Sequence, residues 1–378
     1  MRVLGFGTYD RSKHPRAGII LDGLSERGHD VVEVNEPLGF STAERVAMLG
    51  RPWLAHRLVL RILRRWASLS RRARRACRPA PFDVVLVGYL GHFDVLLARL
   101  LFPRTRIVLD LLIFAADTAR DRGVRTGPKL RLLSGLDALA VRCADLVVLD
   151  TEEQRLLLAP AARPKAVVVP VGAPVQWFRA GDAAASGTDA GVDPPGPLRV
   201  VFFGLYTPLQ GATVIGTALA QLGDDPGITV TMVGTGQDRE ATQRAAAANP
   251  NVQWLDWVES VDLPALVAAH HVCLGIFGTT PKALRVVPNK VYQGAAAGCA
   301  ILTSDTPPQR RILGDAAGYV PAGDAASLAA ALRSLSTDAP RRTQLRAAAR
   351  SIALERFGPV SVVGPLSERL ELGRGAGK

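Results

Sequence analysis

Short, almost wholly apolar runs alternate along the chain with longer stretches whose apolar positions fall three and four apart. RVLGFGT reads as a strand entering a loop at Gly7, AGIILDGLSERG as a helix closed by Gly28, and HDVVEVN as a second strand. FDVVLVGYLG, RIVLDLLI, ADLVVLDT and KAVVVPVG continue the series. After an Ala/Gly/Asp/Pro-rich interval the pattern restarts with LRVVFFGLY, ITVTMVGTG, NVQWLDWV, HHVCLGIFG, CAILTSD and GYVPA. Strands apolar on both faces and separated by helices predict α/β architecture with parallel sheets covered on both sides. The expected organisation is a Rossmann-like domain over 1–178, a linker over 179–197 and a second Rossmann-like domain over 198–350. A tail over 351–378 is expected to pack back toward the first domain. Helices are expected at 325–335 and 339–356, with the polar terminal GRGAGK frayed. Ligands of such sheets bind beyond the carboxyl ends of the strands, which places the active site in a cleft between the two domains.

Charge alters this picture at one place. The formal net charge is +12, and 57–78 (RLVLRILRRWASLSRRARRACR) holds nine arginines and no acid. Leu58, Ile62, Trp66 and Leu69 recur at helical spacing, so the segment predicts a basic amphipathic helix. Two readings stay open: docking on an anionic membrane surface, or a solvated arginine face on a helix packed against the core. No recognition motif or aromatic platform accompanies the arginines, which argues against nucleic acid. Cys77, Cys143, Cys273 and Cys299 have no metal or redox spacing and read as free thiols of a reducing compartment. With no signal peptide and no apolar run of about 20 residues, a cytoplasmic protein is expected, with peripheral attachment to the inner face of the plasma membrane as the open alternative.

Candidate chemistry gathers in loops that follow strands. Gly204, Gln210 and Gly211 lie between a strand and a helix, where free N–H groups and the positive helix end suit a phosphate. Gly234 and Gly236 form a second such loop. Lys282, Arg285 and Lys290 fall within nine positions ahead of a small-residue helix, a cluster suited to a diphosphate. Asn289 lies in the same loop, and the Gln293 amide suits a ribose hydroxyl. In the first half, Asp117 and Asp121 can accept a proton from an acceptor hydroxyl, or serve as acids at a helix start. Arg122 follows them, and His14 and Arg16 are placed on the acceptor side. His29 follows a helix-ending glycine and reads as a surface turn residue, and His270 and His271 read as structural. The spacing of the two aspartates is not that of a metal-diphosphate motif, so no metal site is predicted.

The chain resembles the GT-B glycosyltransferases of family 4, the group 1 glycosyltransferases. GTYDRSKHPRAGIILDGLSERGHDVVEVNEPLG, FFGLYTPLQGATVI, MVGTGQD and, most specifically, CLGIFGTTPKALRVVPNKVYQGAAAGCAILTSDTP carry the likeness. It implies a GT-B fold, two Rossmann-like domains facing a central cleft. It also implies retaining, metal-independent hexosyl transfer from a nucleotide-diphosphate sugar as co-substrate, with no other cofactor. The acceptor would be a glycan, lipid-linked or small-molecule hydroxyl. His92 matches a position where the family places a cleft histidine, which makes it a catalytic candidate with Asp117 and Asp121. Where the family has two glutamates eight positions apart, this chain has Arg285 and Gln293, so Lys282, Arg285 and Lys290 are expected to carry the diphosphate. A GT-B epimerase and a silent nucleotide-sugar binder are the alternatives.

Overall fold

The computed structural model describes residues 1–11, 14–39, 52–124, 126–186 and 196–375, with backbone only at 52–58 and 373–375. Most of the linker (187–195) and the last three residues of the polar terminus lie outside them. Twelve strands form two six-stranded parallel sheets. The first contains β1 (Arg2–Gly7), β2 (Asp30–Asn35), β3 (Val84–Val87), β4 (Arg106–Asp110), β5 (Leu146–Leu149) and β6 (Ala166–Val168), in the order β2-β1-β3-β4-β5-β6. The second contains β7 (Leu198–Phe203), β8 (Ile228–Val233), β9 (Val252–Leu255), β10 (Val272–Leu274), β11 (Ala300–Ser304) and β12 (Ala317–Val320), in the order β12-β11-β10-β7-β8-β9. Each sheet reverses direction once, between β1 and β3 and between β7 and β10, so each has one crevice at its carboxyl edge where a ligand fits. Every residue of β3, β5 and β11 is buried, which is why these strands read as unbroken apolar runs.

Helices over Ala325–Thr337 and Ala339–Arg356 cover the second sheet. After Phe357 the chain returns to the first lobe. The short helix Pro359–Val362 packs so closely on helix Arg16–Glu26 that a Cβ on Gly23 would lie 2.3 Å from the Pro359 carbonyl oxygen. Helix Gly364–Gly375 continues along β6, where Ser367 meets His29 at 3.2 Å; His29 is thus tied to the tail instead of lying in an open turn.

The interval 179–197 is not unstructured from its start. Helix Val175–Ser186 runs through its first part and packs on the second lobe: Trp177 stacks on Phe203 at 5.4 Å, and Arg350 donates to the Phe178 carbonyl and the Asp182 carboxylate. Its packing face is largely alanine and glycine, too small to leave an apolar period in the sequence.

The crevice of the first lobe is braced from below by an ion pair. Arg16 is 1% exposed; its Nε lies 2.8 Å from Asp110 Oδ1 at the end of β4, and its Nη atoms donate to the Val169 and Pro170 carbonyls. Arg16 therefore lines no acceptor site: burial and three acceptors consume it. Replacing Arg16 with Met should lower the unfolding free energy by about 3–5 kcal/mol, because Asp110 would keep a buried charge without its cation. The double replacement Arg16→Met/Asp110→Leu should recover most of that loss, as read by urea denaturation.

Candidate active site

Three loops knit together above the reversal point of the second sheet. The loop after β7 lies on the loop after β10: Phe277 N donates to Gln210 O at 3.0 Å, and a Cβ on Gly211 would meet the Phe277–Gly278 backbone at 2.4 Å. Gly211 also has φ +62°, a left-handed conformation that starts helix Ala212–Leu222. The loop after β8 closes from the other side, where side chains on Gly234 and Gly236 would collide with the backbones of Gly204 and Tyr206. Gly211, Gly234 and Gly236 are thus required by backbone meeting backbone. Gly204 differs: it is exposed, and the nearest heavy atom to a Cβ there would be Lys290 Nζ at 3.5 Å.

Lys290 is the unusual cation of this crevice. It sits in helix Asn289–Ala296, which begins at Asn289 behind Pro288 and has buried Gln293 one turn further on. The Lys290 side chain is 4% exposed. Its Nζ donates to Gln210 Oε1 at 2.6 Å and lies 3.5 Å from the centre of the Phe202 ring. A neutral amide and a π face are weak compensation for a buried ammonium, and no carboxylate joins them among the described residues. Burial accordingly pulls its pKa down to about 7. The loop above it presents the first-turn N–H groups of helix Ala212–Leu222, so cation and helix terminus converge on the Gly204–Gly211 turn.

Lys282 and Arg285 lie in the gap between the lobes, but both are engaged there. Lys282 Nζ donates to Thr118 Oγ1 at 2.7 Å, and Arg285 Nη2 pairs with Asp117 Oδ1 at 2.7 Å. Thr280 Oγ1 donates to Asp121 Oδ1 at 2.6 Å. Burial lowers the Lys282 pKa, and Asp121 and Asp117 act against that shift. Helix Ala115–Asp121 of the first lobe is thereby clamped onto the cation loop of the second, with Arg122 directly after it. Asp117 is not a free base here, since one oxygen faces Arg285, while its other oxygen and Arg285 Nε are buried without partners. Thr151 Oγ1 donates to the Arg285 carbonyl, and Arg311 forms a two-pronged ion pair with Glu153 across the same gap.

In the first lobe His92 is buried, with Nε2 2.9 Å from Asp137 Oδ1. Asp137 also accepts from the N–H groups of Ala115 and Ala116. The acid that caps helix Ala115–Asp121 is therefore Asp137, from helix Pro128–Cys143, and the cap orients His92 as well. His14 stacks on Tyr89 at 4.3 Å, bringing the loops after β1 and β3 together at the crevice. Gly7 opens the β1 loop, whose Thr8 is held through N and Oγ1 by buried Asp94. Asp94, Asp137, Tyr89, Thr151 and Thr280 have no motif and were not singled out from sequence; only their position after strands or on a packed helix marks them. His270 and His271 bond within the fold, to Leu266 and Thr231 and to the Arg199 backbone. Cys273 and Cys299 are buried free thiols, and Cys77 and Cys143 are half-buried. No group of three metal-ligating side chains occurs among the described residues.

Residues 197–338 match the family model described as Glycosyl transferases group 1. The matched segment runs from the start of β7 through helix Ala325–Thr337 of the second lobe. Solved structures resemble the whole chain at low identity. They include a sucrose-phosphate synthase from Thermosynechococcus elongatus (TM-score 0.70, 11% identity, 99% of each chain). Others are Anabaena HepE in complex with UDP-glucose (0.63, 14%, 98% of this chain and 100% of that one) and a UDP-forming trehalose-phosphate synthase from Burkholderia vietnamiensis (0.65, 13%, 98% and 99%). No curated protein matches the chain by sequence. The two-lobed architecture is the GT-B fold.

A lysine held for its charge behaves differently from one held for packing. Because the Lys290 pKa lies below its ordinary value, the unfolded chain binds more protons between about pH 7 and 10, and stability should rise with pH across that window. Lys290→Met should remove this contribution and be the more stable protein at pH 7. Urea unfolding of both at pH 7, 8 and 9 measures it; a less stable variant with unchanged slope would mean that the ammonium is not destabilised where it sits.

Proposed function

We propose that this protein transfers a hexosyl group from a nucleotide-diphosphate sugar to an acceptor hydroxyl, with retention at the anomeric carbon. The observation that carries the reading is Lys290, a buried cation beside an exposed glycine turn and a helix N-terminus, with no carboxylate of its own. A diphosphate at the Gly204–Gly211 turn supplies the missing negative charge. Anabaena HepE, a neighbour in fold, has been solved with UDP and with UDP-glucose, which is the donor class proposed. Gln293, lying one turn beyond Asn289, is assigned to the donor ribose, and Gly234 and Gly236 support the loop instead of touching the ligand.

In this reading the sugar lies between the Gly204 turn and the His92–Asp137 pair. Asp137 fixes the imidazole through Nε2, and Nδ1 is the nitrogen assigned to the sugar. Lys282 and Arg285 exchange Thr118 and Asp117 for the diphosphate when donor enters, which frees Asp117 to meet the acceptor beside His14, while Asp121 keeps its bond from Thr280. As the C–O bond to the diphosphate breaks, Lys290 and Arg285 take up the developing charge. The acceptor oxygen attacks from the same face, and its proton passes to the departing phosphate. No metal is assigned, because cationic side chains perform the charge neutralisation a metal would otherwise supply.

Above pH 7 a terminal phosphate has lost nearly all of its last proton and adenine does not ionise, so the further pH dependence of ADP affinity belongs to the protein, as does that of UDP and GDP below about pH 8.5, where their bases keep the ring proton. With Lys290 at a pKa of about 7, affinity should fall by up to about tenfold per pH unit from pH 7.5 to 9.5. Lys290→Met should bind weakly at every pH. Calorimetric titration with UDP, GDP and ADP over that range tests the assignment. Release of nucleoside diphosphate from sugar nucleotides only when an acceptor extract is present tests transfer; interconversion of the sugar without acceptor would establish an epimerase instead.

A further inference from the structure

We propose that helix Pro52–Ala76 docks the protein on an anionic lipid bilayer through its outward stripe, which sets the carboxyl edge of the first sheet alongside the lipid. The two halves of this helix have different surroundings. Leu69 and Ala73 are fully buried in the first lobe, and Trp66 packs beside them. Val59, Leu60 and Leu63 are 52%, 51% and 52% exposed. At 100° per residue, Leu60, Arg64, Arg71 and Arg75 share a stripe opposite Leu69 and Ala73, flanked by Leu63 and Arg74.

The arginines divide in the same way. Arg65 and Arg72 pair with Glu36 on the core side. Arg64, Arg71, Arg74, Arg75 and Arg78 are exposed, and none pairs with an acid among the described residues. The outward stripe thus combines unpaired cations with exposed leucines and carries no acid, the combination that an anionic interface complements. Duplex nucleic acid would match the cations but not the leucines; a second copy of this chain would match the leucines but face +12 with +12. Among the described residues no helix is long and apolar enough to cross a membrane, so attachment of this kind would be peripheral.

The direction of the helix fixes which side meets the lipid. At its C-terminal end the Ala76 carbonyl is held by Arg2, the first residue of β1. Higher up, Trp66 Nε1 bonds Asp94, which holds Thr8 just past the carboxyl end of β1, and Arg65 and Ser68 reach Glu36 just past the end of β2. The helix therefore runs antiparallel to the strands, and its thirteen residues before Arg65 (52–64) extend roughly 20 Å beyond the carboxyl edge of the sheet, on the side of the cleft. Leu60 and Leu63 lie on this projecting part. Docking itself needs no assumption about the reaction; its consequence, an acceptor hydroxyl carried by a lipid, rests on the transferase reading.

Co-sedimentation of the full chain with phosphatidylcholine vesicles, and with phosphatidylcholine mixed with phosphatidylglycerol, tests docking without any sugar donor. Pelleting with the mixed vesicles and not with the neutral ones is expected. R71Q/R74Q/R75Q should weaken partitioning on the order of 100-fold, and L60S/L63S should remove the part that survives high salt. These side chains are exposed, so coincident thermal melts will show that the variants fold. Equal pelleting of wild type and the arginine variant, equal pelleting with neutral vesicles, tighter binding to duplex DNA than to vesicles, or a solution dimer lost in L60S/L63S would each overturn the proposal.

Discussion

A single buried ammonium sets the terms for the second lobe. Lys290 is removed from water on the face of Phe202, with one amide oxygen as its polar partner. An ion so placed is costly unless an opposite charge completes its shell. The side chain that reaches it from the β7 loop is the neutral Gln210 amide, and that loop is pinned between the β8 and β10 loops by contacts that only glycine permits. What remains open is the exposed face at Gly204. Geometry that is poor for stability is thereby suited to an anion arriving from solution.

The same economy of charge governs the contact between the lobes. Arg285 and Lys282 are the groups best placed to add positive potential to the cleft, and both are held by helix Ala115–Asp121. That helix is itself seated by Asp137, which also holds His92. One carboxylate in a helix of the first lobe thus connects the histidine, the helix start and, through Asp117 and Thr118, the cations of the second lobe. Below them Asp150, at the end of β5, is pushed up to about 6 by burial, against the pull of Arg16 and Lys282. The contact between the lobes is consequently polar and incompletely satisfied, with partnerless atoms on Asp117, Asp150 and Arg285.

The arginine helix separates two jobs along one element. Its lower turns supply Leu69 and Ala73 to the core and lock Glu36, which fixes the helix against the edge strand β2. Its upper turns pass the end of the sheet and have no core to cover, so Val59, Leu60 and Leu63 face water beside exposed Arg64. The core-helix reading of this segment describes its lower turns.

Periodicity and composition alone determined the two parallel sheets, the cation loop between β10 and helix Asn289–Ala296, the glycine turns and the helical nature of the arginine segment, because each is written in residues adjacent along the chain. The partners were decided by the tertiary structure. Asp117 meets Arg285 across 168 positions, Arg16 meets Asp110 across 94, and His92 meets Asp137 across 45. Which cation is consumed by an acid and which is left waiting depends on strand order and on how the lobes face each other, and local sequence carries no record of either. The extension of helix Val175–Ser186 into the expected linker was hidden for a related reason: alanine packs wherever its neighbours come close, and only the fold brings them there.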